Sequence, residues 1–218
     1  MKNLTKLQVL VASCLLIAVA TQASAQTINW ADWTSNTSAT LPGNTVTYSN
    51  TDGSSYLVTD YPSWGPASSY ADGLVITNPP PSGNNIVQIF GGNTDLETIT
   101  FSQAITNPVF AIWSLGSSGT TASFVFNQTP TFVAGGPSNE YTGSAIVVSG
   151  NTVSGAEGNG TIQFLGTFSS ISWTNPTYEN WYGFTVGAPV PEPGSYALMV
   201  AGLAFVGVLV RRRRTKQQ

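Results

Sequence analysis

The chain of 218 residues has no histidine, one cysteine and only seven basic residues. All seven basic residues lie near an end of the chain, two in the first six positions and five at 211–216. The stretch 26–189 therefore contains no Lys, Arg or His, although it holds nine of the ten acidic residues. Nine carboxylates and no base give this stretch a charge of −9 at neutral pH. The two ends are thus basic and the body is acidic, which indicates segments with different functions.

These absences exclude most enzyme chemistries from residues 26–189. Without His or Cys, the stretch cannot form a Ser-His-Asp triad, a cysteine nucleophile or an ordinary zinc site. Without Lys or Arg, it has no P-loop and no bidentate clamp for phosphate or carboxylate. Nucleic acid is excluded as a partner, because its binding depends on basic side chains that contact phosphates. We therefore expect no enzymatic activity, no catalytic residue and no bound organic cofactor.

The first 25 residues have the organisation of a secretory signal peptide. Lys2 and Lys6 form a positive start, residues 7–20 form a mostly apolar run, and Ala23-Ser24-Ala25 supplies the small residues that signal peptidase requires. Cleavage after Ala25 would make Gln26 the first residue of the mature protein. An uncleaved membrane anchor is the alternative, but the run is shorter than the ~20 residues of a typical span. The only cysteine lies within this run, so the mature protein has no thiol and no disulfide.

The C-terminal end combines an extended stem, an apolar stretch and a basic cluster. Pro191 and Pro193 flank Glu192 and remove two backbone donors, so this stem can be neither helix nor central strand. Residues 196–210 predict an apolar helix of ~22 Å. Such a helix would cross a ~30 Å hydrocarbon core only with local thinning of the bilayer. The arginines that follow predict that the tail lies in the cytoplasm and the domain outside it.

This order of Pro-Glu-Pro stem, apolar helix and terminal arginine cluster resembles the PEP-CTERM sorting signal of Gram-negative bacteria. The resemblance implies that exosortase, an integral-membrane cysteine protease and transpeptidase, recognises Pro191, Glu192 and Pro193 and cleaves near them. It also implies that the basic cluster is a cytoplasmic stop, formed by Arg211, Arg212, Arg213 and Arg214. The implied route is an inner-membrane precursor with its domain in the periplasm, then the cell surface or the medium, often alongside exopolysaccharide and biofilm. A generic tail anchor with a chance Pro-Glu-Pro is the alternative.

Residues 26–189 lack a helical period and contain short β-branched and aromatic runs separated by Gly, Pro, Asn and Ser. Apolar and polar residues alternate in 98–101 and 161–164, which indicates strands with one buried face. We predict one all-β domain, a jelly-roll-like sandwich of two antiparallel sheets. The predicted strands are 46–49, 55–59, 74–77, 86–90, 96–101, 109–115, 122–127, 145–149, 161–165, 168–173 and 181–186. Residues 79–85, 135–137 and 155–160 are predicted to be loops.

Aromatic side chains suggest a carbohydrate contact, because flat rings stack on the faces of sugars. Trp64 is the best candidate, since it lies in a Pro- and Gly-rich segment with no strand pattern to bury it. Trp113 and Trp173 fall in apolar strands, so we expect them in the core.

Oxygen-bearing side chains on turns are compatible with a structural calcium ion. The candidate turns are Asp52-Gly53, Asp72-Gly73, Asn84-Asn85 and Asn93-Thr94-Asp95. Turns of this composition also occur for backbone reasons alone, and no Asp-x-Asp-x-Asp loop is present.

A glycosidase needs only two carboxylates, and Asp95 with Glu97 would share a strand face. Nine acids in a sheet protein produce such a pair by chance, so we expect solvated surface carboxylates instead. The sequence therefore predicts an exported, non-enzymatic surface or matrix protein. A carbohydrate-binding module is the alternative, and a glycosidase is the third interpretation.

Overall fold

The computed structural model describes residues 25–51, 54–191 and 201–204. Residues 201–204 are helical and exposed. The strands in chain order are β1 (Ile28–Trp30), β2 (Asp32–Trp33), β3 (Ser38–Leu41), β4 (Asn44–Ser49), β5 (Ser55–Val58), β6 (Ile86–Ile89), β7 (Glu97–Thr106), β8 (Val109–Leu115), β9 (Ala122–Phe126), β10 (Thr131–Gly135), β11 (Ser144–Ala145), β12 (Val147–Ser149), β13 (Thr152–Gly155), β14 (Gly158–Gln163), β15 (Thr167–Thr174) and β16 (Tyr182–Pro189).

These strands form two sheets, as the sequence predicts. Sheet I has the order β10-β14-β8-β16-β6-β5, with β1 added to β16 and β11 added to β14. Sheet II has the order β12-β13-β9-β15-β7-β4-β3-β2. The strand pairs are antiparallel except for β11 and β14, which run parallel.

The eight central strands have the connectivity of a jelly roll. β6 pairs with β16, β7 with β15, β8 with β14 and β9 with β13, as in a long hairpin that has been rolled up. The roll places β14-β8-β16-β6 in one sheet and β13-β9-β15-β7 in the other. The predicted jelly-roll-like sandwich is therefore confirmed.

Aromatic side chains fill the space between the two sheets. Phe110 of sheet I stacks on Phe184 at 5.8 Å and meets Trp173 of sheet II edge-on at 5.7 Å. Trp173 in turn stacks on Tyr48 at 6.0 Å. These rings are at most 1% exposed, which confirms the predicted core position of Trp173.

Sheet I has a second apolar cluster on its outer face. Val109, Ala111 and Trp113 alternate with the inward residues of β8, so every residue of this strand is buried. The segment 59–85, which is irregular except for a 3-10 helix at Ala67–Ser69, covers these outward residues and contributes Trp64, Tyr70 and Ile76 to the cluster. We call residues 59–85 the cover segment. Because sheet I is covered on both faces at β8, this strand is apolar at every position except Ser114 rather than alternating.

Nine of the eleven predicted strands coincide with one observed strand each, and 109–115 matches without change. The predicted strand 74–77 is wrong. Asp72 Oδ1 accepts hydrogen bonds from the backbone N–H groups of Leu74, Val75 and Ile76, which makes this stretch a turn. The β-type pairing described for residues 74–77 is a single isolated bridge between Gln26 and Ile76.

The predicted strand 145–149 is two strands in different sheets. β11 joins sheet I, β12 joins sheet II, and Ile146 between them is buried. The predicted loops 135–137 and 155–160 are partly wrong, since β10 ends at Gly135, β13 ends at Gly155 and β14 begins at Gly158. Glycine is required here because a Cβ at Gly160 would lie 2.7 Å from Ile146 Cγ1. The sequence does not predict five of the short strands, because polar residues interrupt their apolar alternation. These strands are β1, β2, β3, β10 and β13.

Some sequence predictions fall outside the described residues. These are the signal peptide up to position 24 with Ala23, the motif residues Glu192 and Pro193, most of the predicted helix 196–210, and the arginines 211–214. Among the residues that are described, the structure contains no helix of the length and apolarity that a membrane crossing requires.

Candidate functional site

The sorting stem leaves the fold next to the predicted mature N-terminus. β1 pairs with the last strand, so that Ile28 faces Pro189 and Trp30 faces Gly187. The ladder continues beyond the strand, because Val190 N donates to Thr27 O at 2.8 Å. Gln26, the residue after the predicted signal-peptidase site, is itself fixed by hydrogen bonds to Val75 O and from Thr77 N. Both ends of the domain therefore leave it at one point.

A groove of about 390 Å³ lies beside this point. Its walls are the turn between β3 and β4, the end of β7, and the chain from Ala188 to Pro191. Pro191, the first residue of the Pro-Glu-Pro motif, is thus at the rim of the folded domain. The motif follows the last strand with one intervening residue, Val190, and no flexible linker.

The expected exposure of Trp64 is wrong. Its side chain is 1% exposed, packs edge-on against Tyr70 at 5.1 Å, and donates from Nε1 to Asn84 O at 3.0 Å. The cover segment folds back over sheet I and carries this ring beneath it, although the segment itself contains no strand. Trp64 therefore cannot contact a carbohydrate in this structure, whereas Trp113 is buried as predicted.

The described turns that were candidates for calcium use their side chains for backbone contacts. Asp72 Oδ1 accepts three backbone hydrogen bonds, Asn85 donates to Trp33 O at 2.8 Å, and Asn93 Oδ1 accepts from Asp95 N at 3.1 Å. Asp52-Gly53 lies outside the described residues. In the part of the chain that the structure describes, no three His, Cys, Asp or Glu residues form a group suited to a metal ion. These contacts account for the turns without an ion.

The hydrogen bonds to Asp72 change its acidity. Partial burial alone would raise the pKa of this carboxyl, but the backbone N–H groups of Ile76, Val75 and Leu74 stabilise the ionised form and hold the pKa below its ordinary value. Asp72 thus acts as an anchor of the cover segment.

The carboxylates Asp95 and Glu97 do not share a strand face. β7 begins at Glu97, and Asp95 lies in the loop before it. Glu97 is 4% exposed and accepts a hydrogen bond of 2.7 Å from the Tyr48 hydroxyl. This carboxylate therefore lies within the fold, which does not suit an attack on a polymer in solution.

A second buried carboxylate, Glu179, gave no signal in the sequence. Burial raises its pKa above the ordinary value, although the backbone N–H groups of Trp181 and Asn180 partly offset this effect. Its Oε2 and the hydroxyl of Tyr182 are both buried and have no hydrogen-bond partner among the described residues. Burial also raises the pKa of Tyr182, so both groups are held in the neutral form more strongly than in water.

Exposed aromatic rings lie at the end of sheet I that the cover segment leaves open. Tyr56 is 61% exposed and meets Phe90 edge-on at 5.7 Å. Trp181 is 39% exposed and Tyr141 is 42% exposed, and Trp181 Nε1 donates to the Tyr141 hydroxyl at 3.0 Å. We call this set the aromatic row; its members are the exposed Tyr56, Trp181 and Tyr141, the half-buried Phe90, the buried Trp113, and Tyr61, the residue of the cover segment that packs on Trp113.

Sequence reasoning missed the aromatic row because its members are far apart in the chain. Trp181 lies at the start of a predicted strand, which favours burial, and Tyr141 lies in a loop without any pattern. The available signal was the density of aromatic residues at 178–184, where four of seven residues are Tyr, Trp or Phe. A single strand cannot bury all of them on one face, because neighbouring side chains point to opposite sides.

Comparison with known proteins identifies the C-terminal segment. A family model described as the PEP-CTERM protein-sorting motif matches residues 189–214, from the end of β16 to the last of the four arginines. No curated protein and no solved structure matches the chain. The predicted resemblance is therefore confirmed: the chain carries a PEP-CTERM protein-sorting motif at residues 189–214, the signal of an exported protein that exosortase sorts.

Proposed function

We propose that this protein is a non-enzymatic component of the cell surface or extracellular matrix that associates with exopolysaccharide. The general secretory route exports it, signal peptidase cleaves after Ala25, and the C-terminal segment holds the precursor in the inner membrane with the domain in the periplasm. Exosortase then cleaves near Pro191, and the domain reaches the cell surface or the medium. The motif match at 189–214 carries this proposal, because it is the segment that assigns a destination.

The joined ends of the domain support this order of events. Because Thr27 and Val190 are hydrogen bonded within one ladder, the N-terminal and C-terminal segments both leave the folded domain at the same point. A domain of this shape can fold while either segment, or both, holds it at the membrane. The short distance from β16 to Pro191 also brings exosortase close to the folded body.

The chemistry of the domain supports a non-enzymatic role. Residues 26–189 contain no His, Cys, Lys or Arg, so carboxylates are the main acid–base groups. Near the aromatic end of the domain, Glu97 and Glu179 are 4% and 8% exposed, and Glu140 is held by hydrogen bonds from Ser63 N and Trp113 Nε1. A glycosidase requires carboxylates on both sides of a bound sugar, which suits an open cleft rather than buried side chains.

Replacement of the sorting motif tests the proposal. We expect the triple variant Pro191→Ala, Glu192→Ala, Pro193→Ala to accumulate as an uncleaved precursor in the inner-membrane fraction, measured by immunoblot of fractionated cells. The matched control replaces two loop prolines and an acid outside the motif, Pro79→Ala, Pro80→Ala and Asp95→Ala, and should be processed normally. Normal processing and release of the motif variant would contradict the assigned route.

The enzyme alternative has its own test. We expect no release of reducing ends when the protein is incubated with exopolysaccharide from its host. Release that disappears in Glu97→Gln or Glu179→Gln would establish a glycosidase and overturn the non-enzymatic role.

A carbohydrate-binding module is the second candidate function. The observation that favours it is the aromatic row at the open end of sheet I, with rings of 39–61% exposure. Jelly rolls occur in lectins and also in viral capsids, so the fold alone does not decide between a structural and a binding role.

A further inference from the structure

The aromatic row follows the strand register across sheet I. Tyr56 pairs with Gln88, Gln88 with Gly183, and Gly183 with Trp113, so these four residues form one line across β5, β6, β16 and β8. Trp113 belongs to the outer apolar cluster, which shows that the line lies on the outer face. Four strands at ~4.8 Å spacing give this line a length of roughly 14 Å.

The exposed rings lie two residues beyond this line, and therefore on the same face. The ladder between β16 and β6 ends at the pair Tyr182 and Ile89, and Trp181 and Phe90 come directly after that pair. Phe90 contacts Tyr56 on one side, and Trp181 lies 6.4 Å from Trp113 on the other. The rings therefore form two contacting groups at the same end of sheet I, Tyr56 with Phe90 and Trp113 with Trp181 and Tyr141.

Hydrogen bonds at the ring edges fix the orientation of Trp181 and Trp113. Trp181 Nε1 donates to the Tyr141 hydroxyl at 3.0 Å, and Trp113 Nε1 donates to Glu140 Oε2 at 3.2 Å. Glu140 is itself held by the backbone N–H of Ser63 at 2.9 Å. Rings whose edges are already bonded lose little conformational freedom when a ligand covers their faces, so such a site is preorganised.

The surroundings define the chemistry of the ligand. Flat rings accept the apolar C–H faces of pyranose sugars, and the exposed side-chain amides of Asn139 and Asn180 beside the row can bond sugar hydroxyls. The body carries nine carboxylates and no base, so a uronic acid or sulfated polymer would be repelled and would find no counter-charge. An uncharged sugar polymer is not repelled and needs no counter-charge.

We propose that the aromatic row is a binding site for an uncharged polysaccharide, which lies across the open end of sheet I and stacks on Trp181, Tyr141 and Tyr56. This inference rests on the proposed function, because export brings the domain to the place where such polymers occur. The aromatic row takes the place of Trp64 as the candidate carbohydrate contact. The negative charge of the domain favours an uncharged polymer.

Affinity electrophoresis of the full chain, in a detergent without a sugar headgroup, tests the site. The probes are hydroxyethyl cellulose, xyloglucan, galactomannan and dextran, with carboxymethyl cellulose as an anionic polymer on the same backbone as the first. We expect at least one uncharged polymer to retard the protein, and carboxymethyl cellulose to retard it less than hydroxyethyl cellulose. Retardation by none of the four uncharged polymers, or stronger retardation by the anionic one, would overturn the proposal.

Variants locate the binding surface. Trp181→Ala should weaken the retardation about tenfold or more, which is the loss typical of a central aromatic contact. Trp181→Phe should retain part of it. Leu165→Ala, which removes an exposed apolar side chain outside the row, should behave as wild type. Equal losses in Trp181→Ala and Leu165→Ala, or full binding by Trp181→Ala, would place the site elsewhere and overturn the proposal.

Two further readouts distinguish a glycan site from a contact between two copies of the chain and from a defect in sorting. If the row were a contact between two copies, sedimentation without polymer would show a dimer that Trp181→Ala converts to a monomer, and that result would overturn the glycan site. Trp181→Ala should still be processed by exosortase in cells, and Pro191→Ala should still bind polymer. Loss of binding and failure of the sorting route are therefore distinguishable.

Discussion

The outer face of sheet I has a covered half and an open half, and both are built from aromatic side chains. In the covered half, Trp64 packs beneath the cover segment and is 1% exposed. In the open half, Trp181 and Tyr56 are 39% and 61% exposed. The sequence around each ring suggests the opposite, because Trp64 lies in an irregular loop and Trp181 next to a strand. Exposure here is determined by the place where the cover segment ends, not by local secondary structure.

The largest effect should come from removing the buried ring. Trp64→Ala should lower the free energy of unfolding by about 3–5 kcal/mol, because it leaves a cavity under the cover segment and removes the bond to Asn84 O. Trp181→Ala is the matched variant in the open half and should cost less than about 1 kcal/mol. Denaturant titration followed by circular dichroism measures both. Similar losses of unfolding free energy in the two variants would contradict the difference in burial between the covered half and the open half.

A clash in the ladder between β1 and β16 should give the next largest effect. A Cβ at Gly187 would press on Ile28 Cγ2 and lie 3.0 Å from Trp30 Cε3, and both residues belong to the outer cluster. Gly187→Val should therefore cost about 1–3 kcal/mol and increase hydrogen exchange in β1. Ser170→Val, at an exposed position of β15, is the control and should stay within about 0.5 kcal/mol of wild type. Unchanged exchange in β1 would argue against the close approach.

Asp72 should give a moderate effect that depends on pH. Asp72→Ala removes the acceptor of three backbone hydrogen bonds and should cost about 1 kcal/mol at neutral pH, whereas Asp72→Asn should cost less. The pKa of Asp72 is lower in the folded protein than in the unfolded chain, where it is about 3.9. Its contribution is therefore complete above about pH 4 and is lost as the pH falls through the folded-state pKa. In thermal melts from pH 7 to pH 2, the melting temperatures of the two variants should approach that of wild type as the pH falls. A difference in melting temperature that does not change with pH would contradict this.

Glu179 should give the smallest effect, with the opposite dependence on pH. Burial raises the pKa of this carboxyl above its unfolded value of about 4.3, so its contribution is present below that pH and is lost as the pH rises through the folded-state pKa. Glu179→Gln keeps the oxygen that accepts from Trp181 N and cannot ionise. The stability of this variant relative to wild type should therefore increase with pH above about 4.3, as measured by thermal melts over that range. A difference that decreases instead would show that Glu179 is stabilised as the anion.

The sequence predicts the inner sandwich better than the outer face, for a physical reason. Strands such as β8 and β9 carry their signal locally, in runs of β-branched and aromatic residues, and both were predicted within one residue of their bounds. The cover segment has no period, and Trp64 is buried because this segment folds back onto sheet I, with a hydrogen bond from Trp64 to Asn84 O, 20 positions away. Likewise, Gly158 and Gly160 have the composition of a loop, although the close approach of Ile146 makes them part of a strand.

The sorting motif was predictable because its chemistry is carried by consecutive residues. Pro191, Glu192 and Pro193 are adjacent in the sequence, so the signal can be recognised without knowledge of the tertiary structure, and the family match confirms it. The aromatic row is the opposite case, since the register of four strands brings its strand residues together and separate loops add Tyr141 and Tyr61. The position of the aromatic row could therefore be found only from the structure.

Hydroxyl-radical footprinting of the purified protein, with residue-level mass spectrometry, compares the covered and open halves in a single measurement. We expect rapid oxidation of Trp181, Tyr141 and Tyr56, together with protection of Trp64 to the same degree as the core residue Trp173. Oxidation of Trp64 at a rate similar to that of Trp181 would contradict this, because the cover segment would then not bury the outer face of sheet I.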